Sequence, residues 1–342
     1  MGTPVWHEVE AVDAGEGGIA AIMEDGRKAA APGEWMPTPP PNRAGICAVI
    51  VSYNPDERLV DLVEAVRPQV GGLVLVDNAS SDPALGMVRT FENQELEIIR
   101  NERNLGVAAA LNQGLAYARR NGFEWGLTLD QDSLPADDMV AHLCQAFEAA
   151  GGGDAIAILA PQLVDPRLGR RTPFLRSAAG LFFRRTRCTG DILTGVTTAV
   201  TAGALMRINI VDALGGFRED FFIDYVDTEF CLRARSRGFR IVAACKAIME
   251  HQLGQRDRRR VGPFVLYPTH HAVERWYYFG RNRVPMLRMY ALRFPHWCLY
   301  ELVAGTYGLL RMMAVEGRRI QKLGAFMRGT VDGLRGKMGG YV

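Results

Sequence analysis

Three features of this 342-residue sequence predict an α/β fold: a mostly parallel central sheet, helices on both of its faces, and a further helical C-terminal region. Short continuous apolar runs, each ending in polar residues, recur from "GICAVIVSY" onward, as strands buried on both faces do. Between them lie stretches with apolar residues every three or four positions, the mark of helices that bury one face. From His271 the strand patterns give way to helical sequence rich in Arg and aromatic residues.

In chain order, "GICAVIVSY" is the first strand, and "ERLVDLVEAV" follows with Leu59, Leu62, Val63 and Val66 on one helical face. "GLVLVDN", "LEIIRN", "WGLTL" and "AIAILAPQL" read as further buried strands. The helices "LGVAAALNQGLAYARR", with Val107, Leu111, Leu115 and Ala118 aligned, and "MVAHLCQAFEAA" lie among them. Strands that alternate with helices build a parallel sheet. After residue 165, "TPFLRSAAGLFFRRTRC" and "VTTAVTAGALMR" suit irregular or antiparallel strands. "NIVDALGGF" is a short helix, "DYVDTEFCLRARSRGFR" a helix ended by Gly238, and "IVAACKAIMEH" a strand. Pro285 and Pro295 are expected to interrupt the closing helices. The chain divides into an extension with a Pro-rich linker (1–44), a catalytic-sized domain (45–255) and a basic, aromatic-rich helical region (256–342).

Hydrophobic residues make up 48% and charged residues 23%, enough apolar content to bury a sizeable core. The net charge of +2 hides an asymmetry, since Lys and Arg exceed Asp and Glu by 11 in residues 256–342. A basic tail on an acidic body suits an anionic surface such as phospholipid, or a phosphate-rich ligand; a solvated helical face is the plainer reading. No nucleic-acid partner is expected. Of six cysteines none forms a CxxC pair, Cys47 and Cys231 read as small core residues, and a reducing compartment fits. Glu8, Glu10 and Asp13 interrupt any signal-peptide pattern, and no stretch is apolar enough to span a bilayer. A cytoplasmic protein, peripheral on the inner face of the membrane, is therefore expected. The segment "FPHWCLYELVAGTYGLLRMMAV" would lie in the interface, with Trp297, Tyr300 and Tyr307 as anchors and Arg288, Arg293, Arg318, Arg319 and Lys322 beside anionic lipid. Packing against the catalytic domain or another subunit is the alternative for that helix.

Ligands of open α/β sheets bind beyond the carboxyl ends of the strands, so the polar residues there matter most. They are "SYN" at 52–54, "DN" at 77–78, "NERN" at 101–104 and "DQD" at 130–132. No GxGxxG follows the first strand, which argues against a dinucleotide cradle. In "LTLDQDS", Asp130 and Asp132 alternate along an extended segment and so face one side. Two such carboxylates suit a divalent cation, Mg²⁺ or Mn²⁺, that bridges the phosphates of a nucleotide. They could also simply cap the helix that starts near Pro135. In "FFIDYVDTEFCLRAR", Asp224, Asp227 and Glu229 open a helix and Arg233 and Arg235 close it, which complements the helix dipole but also offers a general base. His251, at a strand end, could ligate a metal or meet phosphate, or be an ordinary hydrogen-bonding histidine.

The ordered series "AVIVSYNP", "VDNASSD", "NERNLGVAAALNQGL", "LTLDQDS" and "TAGALMRINIVDALGGFREDFFIDYVDTEFCLRARSRGFR" resembles the family-2 inverting glycosyltransferases of GT-A fold. With "WYYFGRNRV" added, it is similar to their bacterial rhamnosyltransferase subgroup over about residues 46–290. The resemblance implies a Rossmann-like GT-A sheet and a single displacement with inversion. The sugar would come from a nucleotide-diphosphate donor, dTDP-L-rhamnose, and pass to a glycan or lipid-linked acceptor. Ser52, Tyr53 and Asn54 would hold base and ribose, and Asp77 the pyrimidine N3–H. Asn104, Gly106, Asn112 and Asp130 would line the nucleotide side. Asp132 and His251 would hold the metal, Asp227 would be the general base, and Gly203, Asp224 and Glu229 would lie toward the acceptor. Where many relatives carry Glu-Asp this chain has Val226-Asp227, so no role passes to position 226. A UDP-hexose donor remains open, as does a catalytically silent nucleotide- or glycan-binding module.

Overall fold

The first strand shows why a continuous apolar run was needed. In β1 (Ile46–Ser52) every residue is buried. Cys47, Val49 and Val51 enter the core on one face of the sheet, while Ile46, Ala48 and Ile50 enter the core on the other. A computed structural model describes residues 39–81, 86, 96–167, 169–178, 182–251, 259–261 and 264–340. Most of the extension expected over residues 1–44 thus lies outside the described residues.

The remaining elements follow the predicted order. They are α1 (Arg58–Val66), β2 (Gly72–Asp77), β3 (Leu96–Arg100), α2 (Val107–Arg120), β4 (Trp125–Asp130), β5 (Ser133–Pro135), α3 (Met139–Ala149) and β6 (Ile156–Asp165). Then come β7 (Phe174–Ala178), β8 (Phe182–Thr186), β9 (Val196–Thr198), β10 (Ala204–Arg207), α4 (Ile208–Ala213), α5 (Val226–Ser236) and β11 (Arg240–His251). Helices α6 (Val273–Tyr290), α7 (Pro295–Val315) and α8 (Arg319–Leu334) close the chain. Leu59, Leu62, Val63 and Val66 of α1 are all buried, as the stripe required, each side chain contributing roughly 1.5–3 kcal/mol on leaving water.

Along β11-β6-β10-β4-β1-β2-β3 the main sheet is parallel except where β10 inserts antiparallel between β4 and β6, and short strands at Ile192–Leu193 and Arg170–Arg171 add antiparallel to β11 and β6. The strand order changes direction at β1, which has β2 on one side and β4 on the other. Register aligns Ser52 with Asp77 and Val51 with Asp130, so these carboxylates share one edge at the switch point. Near the other end, β11 pairs antiparallel with β5, which sets His251 against Ser133 just beyond the DQD turn. A second, antiparallel sheet, β9-β7-β8, comes from the region where alternation was expected to fail.

Three expectations are corrected. Pro285 does not break a helix but lies within α6. The chain gains more from anchoring the buried Tyr278, Asn282, Met286 and Tyr290 than it loses in one helical bond. Pro295, by contrast, starts α7, where its missing N–H costs nothing. Second, Trp297 is buried rather than interfacial, Tyr300 packs edge-on against Phe183, and Lys322 is buried in an ion pair with Glu316 at 2.7 Å. Third, Cys188 and Cys245 form a disulfide that ties the segment after β8 to β11, where free thiols were expected. Cys47 and Cys231 are buried core residues, as expected.

Candidate active site

The DQD turn begins where β4 ends. Asp130 and Asp132 both turn toward His251, with carboxylate oxygens 3.9 Å from Nε2 and 3.8 Å from Nδ1 respectively. One ligand atom from each of the three residues lies within 4.8 Å of the others. Two carboxylates and an imidazole at this spacing fit Mg²⁺ or Mn²⁺. Burial holds the Asp130 carboxyl above its ordinary range; His251 opposes that shift and Asp132 adds to it. A cation would relieve this repulsion, so the donor set suits one. Gln131, between the two acids, points the other way. It accepts from Tyr53 N (2.6 Å) and donates to the Tyr53 carbonyl (3.2 Å), tying the DQD turn to the loop after β1.

That loop and the end of β2 form a second group. Asp77 is fully buried and accepts from Ser52 Oγ at 3.0 Å, from Ser80 N at 3.0 Å and from Ser80 Oγ. Asn54, in the left-handed region at φ 47°, accepts from Ser81 N at 2.8 Å, while its own N–H donates to Ser80 Oγ. Asn104 accepts from Gly106 N at 2.9 Å, in the turn just before α2. Gly106 has φ 88°, and a Cβ there would lie 2.6 Å from the Phe222 carbonyl. Only glycine lets the two segments approach this closely. Asn112 is turned away from this group: its amide bonds Phe217 on both sides and Glu219, holding the loop before α5.

That loop carries the third group. Phe222, Asp224 and Tyr225 all have φ between 62° and 65°, a conformation that residues with side chains rarely adopt. The sequence near 282 supplies the restraint. Buried Asn282 donates to the carbonyls of Phe221, Ile223 and Asp224 at 2.8–3.0 Å, and Arg281 donates to Phe221 O at 2.8 Å. Part of "WYYFGRNRV" is thus a clamp on the backbone that leads into α5. Asp227, in the first turn of α5, accepts from Thr228 N at 2.6 Å. Burial pushes its carboxyl up to about 6, against the Thr228 bonds. Arg275 pairs with Asp224 through Nη2 at 2.9 Å and Nε at 3.0 Å.

Asp130, Asp132, His251, Asp224, Asp227 and Arg275 line one cavity of about 530 Å³. Glu229 lies elsewhere: it is buried, binds Arg233 at 2.8 Å and accepts from Tyr290 Oη at 2.9 Å. Gly203 is a packing position, where a Cβ would meet Met249 and Pro161 at 2.7 Å. Sequence reasoning missed Gln131, Arg275 and the Arg281–Asn282 clamp. Of these only the clamp had a signal, the GRN run among buried aromatics.

Residues 47–215 match the model of a family described as Glycosyl transferase family 2. Over 306 residues the chain is 25% identical to the dTDP-rhamnosyl transferase RfbF of Shigella flexneri, a match covering 87% of this chain and 98% of that protein. It is 24% identical to a poly-beta-1,6-N-acetyl-D-glucosamine synthase of Staphylococcus aureus over 64% of this chain and 53% of the other. The crystal structure of S. aureus TarS 1-349 in complex with UDP-GlcNAc has a TM-score of 0.50 at 13% identity, over 85% of this chain and 81% of that one, a likeness of fold.

Proposed function

The chain belongs to glycosyl transferase family 2, and from that premise we propose that it moves L-rhamnose from dTDP-L-rhamnose, with inversion, to a glycan or lipid-linked saccharide. One observation carries the catalytic reading. Asp227, its carboxyl raised to about 6, shares a cavity wall with Asp130, Asp132 and His251. A carboxylate poised there suits proton abstraction near neutral pH. As the acceptor oxygen bonds to the anomeric carbon, its proton passes to Asp227. The bond from that carbon to the diphosphate breaks, and its electron pair leaves with the nucleoside diphosphate. One displacement inverts the centre.

Asp132 and His251, with Asp130, would hold Mg²⁺ or Mn²⁺. When bound, such a cation supplies neutralising charge for the diphosphate. Asp77 would receive the pyrimidine N–H. Three hydrogen bonds already use its oxygens, and a carboxylate has about four acceptor positions, so one remains. Ser52, Tyr53 and Asn54 would frame the base and ribose. The choice of donor rests on the resemblance to the Shigella rhamnosyl transferase, which extends over nearly the whole of both chains. Release of nucleoside diphosphate should be fastest from dTDP-L-rhamnose in a panel with UDP-hexoses, and should stop in excess chelator. Faster release from a UDP-hexose would replace the donor; binding without release from any would make the chain a binding module.

Peripheral membrane attachment belongs to the same reading. No helix among the described residues is long and apolar enough to cross a membrane. On α7, however, Leu299, Leu302, Val303, Tyr307 and Leu310 are exposed at helical spacing, with Arg288, Arg293, Arg318 and Arg319 at its flanks. Such a face suits the interface of an anionic bilayer, which would also hold a lipid-linked acceptor. The protein should float with anionic vesicles at low salt and less so at high salt. Failure to float at low salt would assign the face to a protein partner.

A further inference from the structure

The segment that carries Asp227 lines two adjoining cavities. The cavity with Asp130, Asp132 and His251 is one; the other, of about 360 Å³, opens among α6, α7 and α8. Asp224, Tyr225 and Asp227 line both, so the proposed base faces two chambers of different chemistry.

The second chamber is lined by aromatic and charged side chains, the Glu301 carboxylate among them. Trp276, Phe279 and Tyr300 supply rings, Arg283 and Arg311 supply charge, and its volume falls in the range of small-ligand pockets. Two of these residues have an N–H with no acceptor among the described residues, Trp276 Nε1 and Arg311 Nε, while Arg283 Nε faces the Glu301 carboxylate. Buried donors are normally satisfied, so two on the lining residues leave this wall short of acceptors. The two arginines differ. Arg283 has Glu301 at 3.6 Å and donates to the Glu301 carbonyl at 3.0 Å. Arg311 contacts Thr269 Oγ1 at 3.4 Å, with no carboxylate at ion-pair distance among the described residues. On the α7 wall the Arg283 guanidinium lies over Gly305, whereas Gly308 leaves the wall bare: a Cβ there would meet nothing within 4 Å.

We propose that this chamber is the acceptor subsite and that it takes a sugar bearing an anionic group. The rings cover the apolar face of the sugar, Arg311 meets the anion, and the acceptor hydroxyl turns toward Asp227. This rests on the glycosyl-transfer reading, which fixes the role of Asp227. The anion can be a phosphate ester or a carboxylate, since a guanidinium recognises both.

The test uses the full chain saturated with Mg²⁺ and dTDP, so that the first chamber is filled. Calorimetric titrations with α-D-glucose 1-phosphate, D-glucuronate, D-glucose and inorganic phosphate follow. One or both anionic sugars should bind more tightly than glucose and than phosphate, and the stronger of the two identifies the anion. Arg311→Gln should weaken that binding by roughly 10–100-fold, the usual worth of a hydrogen bond to a charged group. Gly308→Phe should fill the chamber and abolish it. The affinity for dTDP should stay the same in both variants. Should Gly308→Phe fail to fold, Arg311→Gln carries the test alone. Absence of binding by either anionic sugar, affinity no better than for phosphate alone, or affinity unchanged by Arg311→Gln overturns the subsite. If wild type does not bind dTDP at all, the donor reading fails first and this proposal falls with it; the same titration tells the two failures apart.

Discussion

The two walls of the cleft are held in place by different means. On the sheet side, backbone ladders do the positioning. Register alone sets Ser52 beside Asp77 and Val51 beside Asp130, and β11–β5 pairing brings His251 to Ser133. On the α5 side no ladder reaches the residues that matter. Phe222, Asp224 and Tyr225 hold left-handed backbone while Arg281 and Asn282, about 60 residues later, grip the interleaved carbonyls of Phe221, Ile223 and Asp224. The first wall is stable by its own secondary structure and the second only by tertiary contact. A metal site needs several fixed donors, which a sheet edge supplies; a proton acceptor needs one carboxylate kept from water, which a strained loop can supply.

Substitutions can break that contrast at known points. The largest effect belongs to the sheet wall: Asp132→Ala should cut metal-supported turnover by at least ~10², given the several kcal/mol that metal catalysis supplies. Mn²⁺ affinity in the presence of dTDP should fall with it, while the unfolding midpoint stays near wild type because the strands remain intact. Unchanged Mn²⁺ affinity would take Asp132 out of the metal site. Asn282→Ala strikes the other wall. Removing three backbone contacts should shift Asp227 enough to lower kcat by up to ~10², with donor affinity intact, and should also lower stability. Wild-type kcat in a measurably destabilised variant would reduce the clamp to a folding element. Glu229→Gln should affect turnover least. It weakens the buried bonds to Arg233 and Tyr290, so an unfolding titration should show a loss of ~2 kcal/mol while kcat holds. A large fall in kcat at unchanged donor affinity would return Glu229 to the chemistry.

The same contrast explains what could be read from the sequence. Apolar runs and their polar ends gave β1, β2, β3, β4 and β6, because a strand buried on both faces has few other ways to be written. Asp130, Asp132 and His251 stood at strand ends and were legible there, though nothing local foretold that β11 would pair with β5. Gln131 and Arg275 act through contacts 78 and 51 residues apart, which leave no periodic trace. Pro285 was misread because the rule on proline ignores what its neighbours bury. Trp297 was misplaced because the amphipathic character of α7 was assigned from composition, and its buried side is where that ring turns.

The central claim is that Asp227 takes the acceptor proton, and the most direct test follows released dTDP against pH in wild type and Asp227→Asn. Because burial raises the carboxyl to about 6, folding retains its proton from about pH 4 to 6, and the stability it contributes falls as pH rises through that window. The amide variant should therefore be no less stable than wild type at pH 7. For wild type, kcat/KM should climb with pH and level off above about 6, or somewhat lower where a cation favours the carboxylate. For Asp227→Asn that limb should vanish, turnover should fall by at least ~10², and affinity for dTDP-L-rhamnose should be unchanged. Turnover equal to wild type, with the same rising limb, would contradict the assignment.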